Sequence, residues 1–171
     1  MTASLLLAVR ALHILLAALW VGAIFLMTAF VIPAVRNLGA AGGSFMVSLG
    51  RRGIHVFMAS TAGLTVLSGL WLYWMFTNGF DHGAMQTHGG MVFGIGGLCG
   101  LLAAIIGGGV VGRSFKRVVA MSEQTATLPE SERAAHIQRI ADLRGRISNA
   151  AKIVLALAIV ALLLMAIGHY V

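Results

Sequence analysis

Six histidines are the residues of this chain best able to hold a metal or a cofactor. His13 sits inside a long apolar run, accompanied by Arg10 one turn earlier and by Trp20 and Met27 at heptad spacing on its own face. His169 lies at the far end of the last apolar run. Ionisable groups within apolar spans are costly and point to function. A pair of imidazoles facing each other across a helical bundle is how proteins grip a haem b iron from both sides. On this reading His13 is one axial ligand and His169 or His88 the other. Arg10 meets the propionates, and Trp20 forms part of the apolar wall.

A second set of ligand types is His82-x-x-Met85-x-x-His88-x-x-Met91. Imidazole with thioether is a soft donor set suited to Cu(I), and the three-residue spacing predicts all four on one side of a helical turn. Asp81 could join them for a more oxidised ion. The plainer alternative is that methionine fills gaps in membrane helices and that an imidazole merely bonds a neighbouring helix. His55 falls at the opposite end from His13, and His136 in a basic, solvated stretch. Cys99 is the one cysteine, so no intramolecular disulfide exists. No nucleophile triad, phosphate loop, dinucleotide fingerprint or paired acidic site occurs. Four of the five acidic residues lie between Glu123 and Asp142, which leaves little carboxylate chemistry for the apolar spans.

The elements that must position these groups follow from composition. Of the 171 residues, 59% are hydrophobic and 10% charged, against about 25% charged in a soluble domain. Four apolar windows, at about 5–35, 54–77, 89–112 and 153–171, are long enough to cross hydrocarbon. Without water, their backbones must satisfy themselves as helices. The expected fold is therefore all-α, a single integral-membrane four-helix bundle. The first helix carries no charged leader and is expected to be retained. Pro33 falls near its end, where a missing donor does little harm.

Eleven of the twelve Lys and Arg fall between the first two windows or from Arg113 to Lys152. The segment from Asn78 to His88 has none. By the positive-inside rule the basic connections face the cytoplasm, and both termini and the histidine-rich turn face the outer, periplasmic side of a bacterial inner membrane. Such loops fit anionic lipid and not nucleic acid, despite the net charge of +7. The connection at 113–149 is expected to be a basic cytoplasmic loop. Within it, Thr127-x-x-Glu130 with Pro129 resembles a capping box. Ile137, Ile140, Leu143 and Ile147 recur at helical spacing. That pattern predicts an amphipathic helix, lying on lipid or extending the bundle; a solvated connector is the alternative. Ten glycines between Gly89 and Gly112 suit close helix packing or a flat cofactor laid on bare backbone.

The segment Leu12-His13-Ile14-Leu15-Leu16-Ala17-Ala18-Leu19-Trp20-Val21-Gly22 resembles the first helix of the copper-resistance protein D family. Thr65-Val66-Leu67-Ser68-Gly69-Leu70-Trp71-Leu72-Tyr73 and the ending Met165-Ala166-Ile167-Gly168-His169-Tyr170 look like its short four-helix relatives. The resemblance implies a polytopic protein linked to copper uptake or tolerance. The opening His-x6-Trp is also similar to the membrane protoporphyrinogen oxidase family, which implies haem binding through His13; that family's polar signature near the C-terminus is missing. Three functions follow as expectations. The first is a haem b protein passing electrons between the membrane and a quinone or outer-side redox protein. The second is a copper transport or resistance protein using His82, Met85, His88 and Met91. The third is a cofactor-free subunit of a larger membrane complex or homo-oligomer.

Overall fold

The computed structural model describes residues 3–170. Among them every element is helical, and four helices are long and apolar enough to span a membrane. They are α1 (Ala3–Asn37), α3 (Ile54–Phe76), α5 (His88–Gln124) and α6 (Glu130–Ile167). Two short helices, α2 (Gly39–Arg51) and α4 (His82–Met85), and a 3₁₀ turn at Thr125–Thr127 complete the order. The apolar environment these helices demand is a lipid bilayer.

Proline shapes the first helix. A proline within a helix has no N–H to donate and crowds the carbonyl four residues back. The chain widens into a π-helix over Met27–Val31, just ahead of Pro33, and then runs on to Asn37. Pro33 is thus absorbed inside the helix by a π-bulge. Two glycines in the left-handed region, Gly39 (φ 54°) and Gly53 (φ 80°), turn the chain into and out of α2.

The connection from α3 to α5 is tight. Asn78, Gly79 and Phe80 have φ of 51°, 85° and 65°. The fully buried Thr77 holds this turn: its hydroxyl donates to the Tyr73 carbonyl at 2.8 Å and accepts from the Phe80 amide at 3.1 Å. Asp81 then caps α4 by accepting from the Ala84 amide at 2.9 Å, and Thr87 caps α5 through the Gly90 amide at 3.0 Å. Each cap satisfies an amide that the helix itself leaves unpartnered.

Residues 113–149 are not a loop. Helix α5 continues through a π-helical stretch, Gly107–Gly112, to Gln124, and α6 already begins at Glu130. The connection shrinks to a turn at 125–129. The reason is a second apolar cluster: Val118, Ile140 and Ile147 are buried, with Val111, Phe115, Met121 and Leu143 packed around them. The stripe expected to be amphipathic does extend the bundle, except that Ile137 stays exposed. The capping box does not form. Thr127 donates to the Gln124 carbonyl at 2.8 Å, Pro129 itself takes the cap position, and Glu130 pairs with Arg133 at 2.8 Å. Helix α2 closes on this extension, with Gly50 against Phe115 and Arg51 bridged to Glu123 at 2.9 Å.

Within the spans, α1 packs mainly on α3 and α5 mainly on α6, so the bundle is two antiparallel hairpins with lighter seams between them. One cluster joins all four helices: Trp20 and Ile24 from α1, Ala62 from α3, Ala103 from α5, Val154 and Ala158 from α6. Small residues from three helices let Trp20 reach the centre.

Candidate functional site

Trp20, Ala62, Ala103 and Ala158 belong, with Ile24 and Val154, to one buried cluster that joins the four helices. The end carrying Ala3, the turn at 78–87 and Gly168 is here the terminal end; the other is the basic end. Seven residues toward the terminal end of each helix stand His13, Gly69, Gly96 and Met165, about 10 Å away at a helical rise of about 1.5 Å per residue. Within each hairpin these residues meet in pairs. The His13 ring lies over Gly69, where a Cβ would come within 2.8 Å of its Cε1. The Met165 methyl lies over Gly96, where a Cβ would come within 3.3 Å of it. Glycine at both places leaves room for a ring and a thioether.

His13 is half-buried and anchored through one nitrogen. Its Nδ1 is 3.0 Å from the Thr65 carbonyl and 3.0 Å from the Ser68 hydroxyl oxygen. The Ser68 hydroxyl also reaches the Leu64 carbonyl at 2.6 Å and the Thr65 carbonyl at 3.1 Å. A carbonyl can only accept, so the bond to Thr65 is made by the tautomer that carries its proton on Nδ1. The neutral ring then presents Nε2 as an unprotonated lone pair. An N–H donated to a backbone carbonyl is also how ligand histidines are held, since it fixes the tautomer and raises basicity. Thr61, Thr65 and Ser68 recur along one face of an otherwise apolar helix, with Thr61 bonded to the Phe57 carbonyl at 2.8 Å and Thr65 to that of Thr61 at 2.7 Å. That polar stripe is the signal that could have identified the His13 partners from sequence.

The other candidates lie elsewhere. His169 is past the end of α6, exposed, with its ring edge-on to Phe93 at 5.1 Å. Phe93 in turn meets Phe76 at 5.1 Å. Phe76 is seven residues beyond Gly69, so this aromatic group stands one to two turns nearer the terminal end than His13. The shared core meets α6 at Val154 and Ala158, because that helix begins far earlier than its apolar run, so residue counting sets His169 farther toward the terminal end than His13. His88 opens α5, farther out still. Arg10 is exposed one turn outward from His13, and Trp20 is buried in the floor beneath it.

The His/Met run is divided. His82 and Met85 belong to α4, His88 and Met91 to the first turn of α5, and the chain leaves helical geometry at Thr87 (ψ 154°). Thr87 breaks the helix because its hydroxyl caps the next one, so the four side chains do not share one continuous helical face. His82 Nε2 bonds the Gln86 amide nitrogen at 2.9 Å. Among the described residues no group of three or more His, Cys, Asp or Glu is gathered to hold a metal ion.

The glycines of α5 meet protein. Gly90 abuts the Ala84 and Met85 carbonyls, Gly94 receives the Tyr73 hydroxyl, and Gly96, Gly100 and Gly107 take side chains of α6. Tyr73 also donates to the Gly90 carbonyl at 3.2 Å, tying α3 to α5 above the His13 level. Close packing accounts for these positions. No protein-family profile, curated protein or solved structure matches this chain.

Proposed function

We propose that this protein is a membrane redox protein that holds haem b through Nε2 of His13 near the outer face of a bacterial inner membrane. The observation that carries the reading is the anchoring of His13 Nδ1 by the Thr65 carbonyl and Ser68 hydroxyl. An imidazole that donates Nδ1–H to a backbone carbonyl presents its Nε2 lone pair inside an apolar bundle, as an iron ligand does. Gly69 supplies the space for the ring. When bound, the group supplies reversible one-electron chemistry. Arg10 then neutralises propionates at the water boundary, and the floor of Trp20, Ala62, Ala103 and Ala158 excludes water from below. A quinone or an outer-side redox protein is the electron partner this placement suits. The resemblance of the first helix to copper-resistance protein D and protoporphyrinogen oxidase relatives supports a ligand role for His13. The divided His/Met run gives the copper reading no comparable geometry.

The test is the visible spectrum of protein purified from haem-replete cells. A Soret band is expected, and His13→Ala should lose most of it while His55→Ala keeps it. A colourless protein would refute the reading and leave His13 as an interhelical hydrogen-bonding residue.

A further inference from the structure

We propose that the groove between α2 and the basic end of the α5–α6 hairpin binds a water-soluble small molecule carrying a phosphate group and an apolar body. Arg144 is the residue that holds the phosphate. The site is separate from His13 and does not rest on the haem reading.

Helix α2 meets the hairpin at Gly50 against Phe115 and through the Arg51–Glu123 bridge. Beside these contacts a groove of about 710 Å³ remains open, within the range of about 300–1,000 Å³ usual for ligand pockets. One wall is the face of α2 that carries Gly43, Val47, Ser48 and Arg51. The other is Ser122, near the end of α5, with Ile137, Ile140 and Arg144 of α6.

Charge and hydrogen bonding point to an anion. Arg51 and Arg144 face a single lining carboxylate, Glu123, which Arg51 already engages. Arg144 is half-buried, and among the described residues its guanidinium has no ion pair or hydrogen bond. Its Nη2 lies 3.3 Å from where a Cβ on Gly43 would stand, so the bare backbone of α2 gives it room. The hydroxyls of Ser48 and Ser122 also make no bond among the described residues. A guanidinium fork with hydroxyls nearby matches the several oxygens of a phosphate. Beside these groups the lining turns apolar, at Val47, Ile137 and Ile140. Ile137 is 53% exposed while Ile140 and Ile147 of the same stripe are buried, and an apolar body in the groove would cover it.

Location selects a soluble source. Every lining residue lies outside the four apolar windows, and so beyond the hydrocarbon. Phe45 is 48% exposed and stands on the other face of α2 from Gly43, Val47 and Arg51. Lipid suits that aromatic face, which leaves the groove to water.

The experiment follows the thermal melt of the full-length protein in uncharged detergent at constant ionic strength. The probes are phenyl phosphate, inorganic phosphate and micelles containing phosphatidylglycerol. Phenyl phosphate should raise the melting temperature saturably and bind about tenfold more tightly than inorganic phosphate, because its ring covers apolar surface. Arg144→Gln should weaken it by about 10- to 100-fold, and Arg144→Lys should recover only part of the loss. Arg139→Gln, on the opposite face of α6, should change nothing. Ala141→Trp keeps both arginines, fills the groove from an exposed lining position and should abolish binding. No shift with phenyl phosphate, or a shift that survives both Arg144→Gln and Ala141→Trp, would overturn the site. An Arg144-dependent shift with phosphatidylglycerol and none with phenyl phosphate would give the groove to a lipid headgroup and overturn the soluble ligand.

Discussion

At the scale of single residues, His13 depends on what Gly69 lacks. A methyl group there would meet the imidazole at 2.8 Å, and the ring cannot retreat without giving up the Thr65 carbonyl and Ser68 hydroxyl. Gly69→Ala should therefore destabilise the protein by about 1–3 kcal/mol, the usual range for overpacking a closed site. It should also reduce haem retention, both readable from one thermal melt followed at the Soret band and by intrinsic fluorescence. An unchanged melt with full haem content would mean that the ring is not held as described. Ser68→Ala is the milder change. The Thr65 carbonyl still accepts the Nδ1 proton, so haem should be retained. The midpoint potential should rise slightly, because a weaker bond at Nδ1 makes Nε2 a poorer donor to ferric iron. Redox titration decides this, and a fall in potential would contradict the assigned tautomer.

At the scale of elements, the glycines of the spans divide by what each faces. A Cβ on Gly96 would lie 3.1 Å from the Cβ of Leu164, an atom that cannot rotate away. Gly96→Ala should thus push α5 from α6 and lower stability by roughly 1–3 kcal/mol. Gly63 has nothing within 4 Å of its Cβ position. Gly63→Ala should be neutral or stabilise by up to about 1 kcal/mol, since alanine is the better helix former. Denaturation in mild detergent would compare the pair; equal effects would show that the seam of α5 and α6 is not glycine-packed. The long α5–α6 hairpin was legible in part. The spacing of Ile140, Leu143 and Ile147 indicates a helix, but Arg113, Lys116 and Arg117 read as a boundary where the structure has none. Charges on the outer face of a helix do not end it when the opposite face finds a partner.

For the whole molecule, the charge distribution predicts orientation. Eleven of the twelve cations lie at the basic end, and only Arg10 at the other. In intact bacterial cells with Cys99→Ser as background, a membrane-impermeant maleimide should label Gln86→Cys from outside. It should label Gln138→Cys only after lysis; both positions are exposed. The reverse pattern would place the His13 level near the cytoplasm and send its electrons to a cytoplasmic partner. The Arg51–Glu123 bridge clips α2 to the hairpin, but its side chains are 73% and 46% exposed. Breaking it by Glu123→Gln should change stability by less than about 1 kcal/mol.

The sequence by itself determined that the chain is helical and membrane-spanning, because runs of apolar residues longer than the hydrocarbon thickness allow no other backbone. It also singled out His13, since an imidazole in such a run must find a partner. Tertiary structure alone decided which partner. Thr65, Ser68 and Gly69 lie more than fifty residues away, and the polar stripe of α3 marks a face without stating which helix it meets. The same holds for His169, whose level relative to His13 depends on the axial register of α6 against α1. That register is set by where Trp20 finds Ala62, Ala103 and Ala158, a fit of large against small residues across four helices that no single helix encodes.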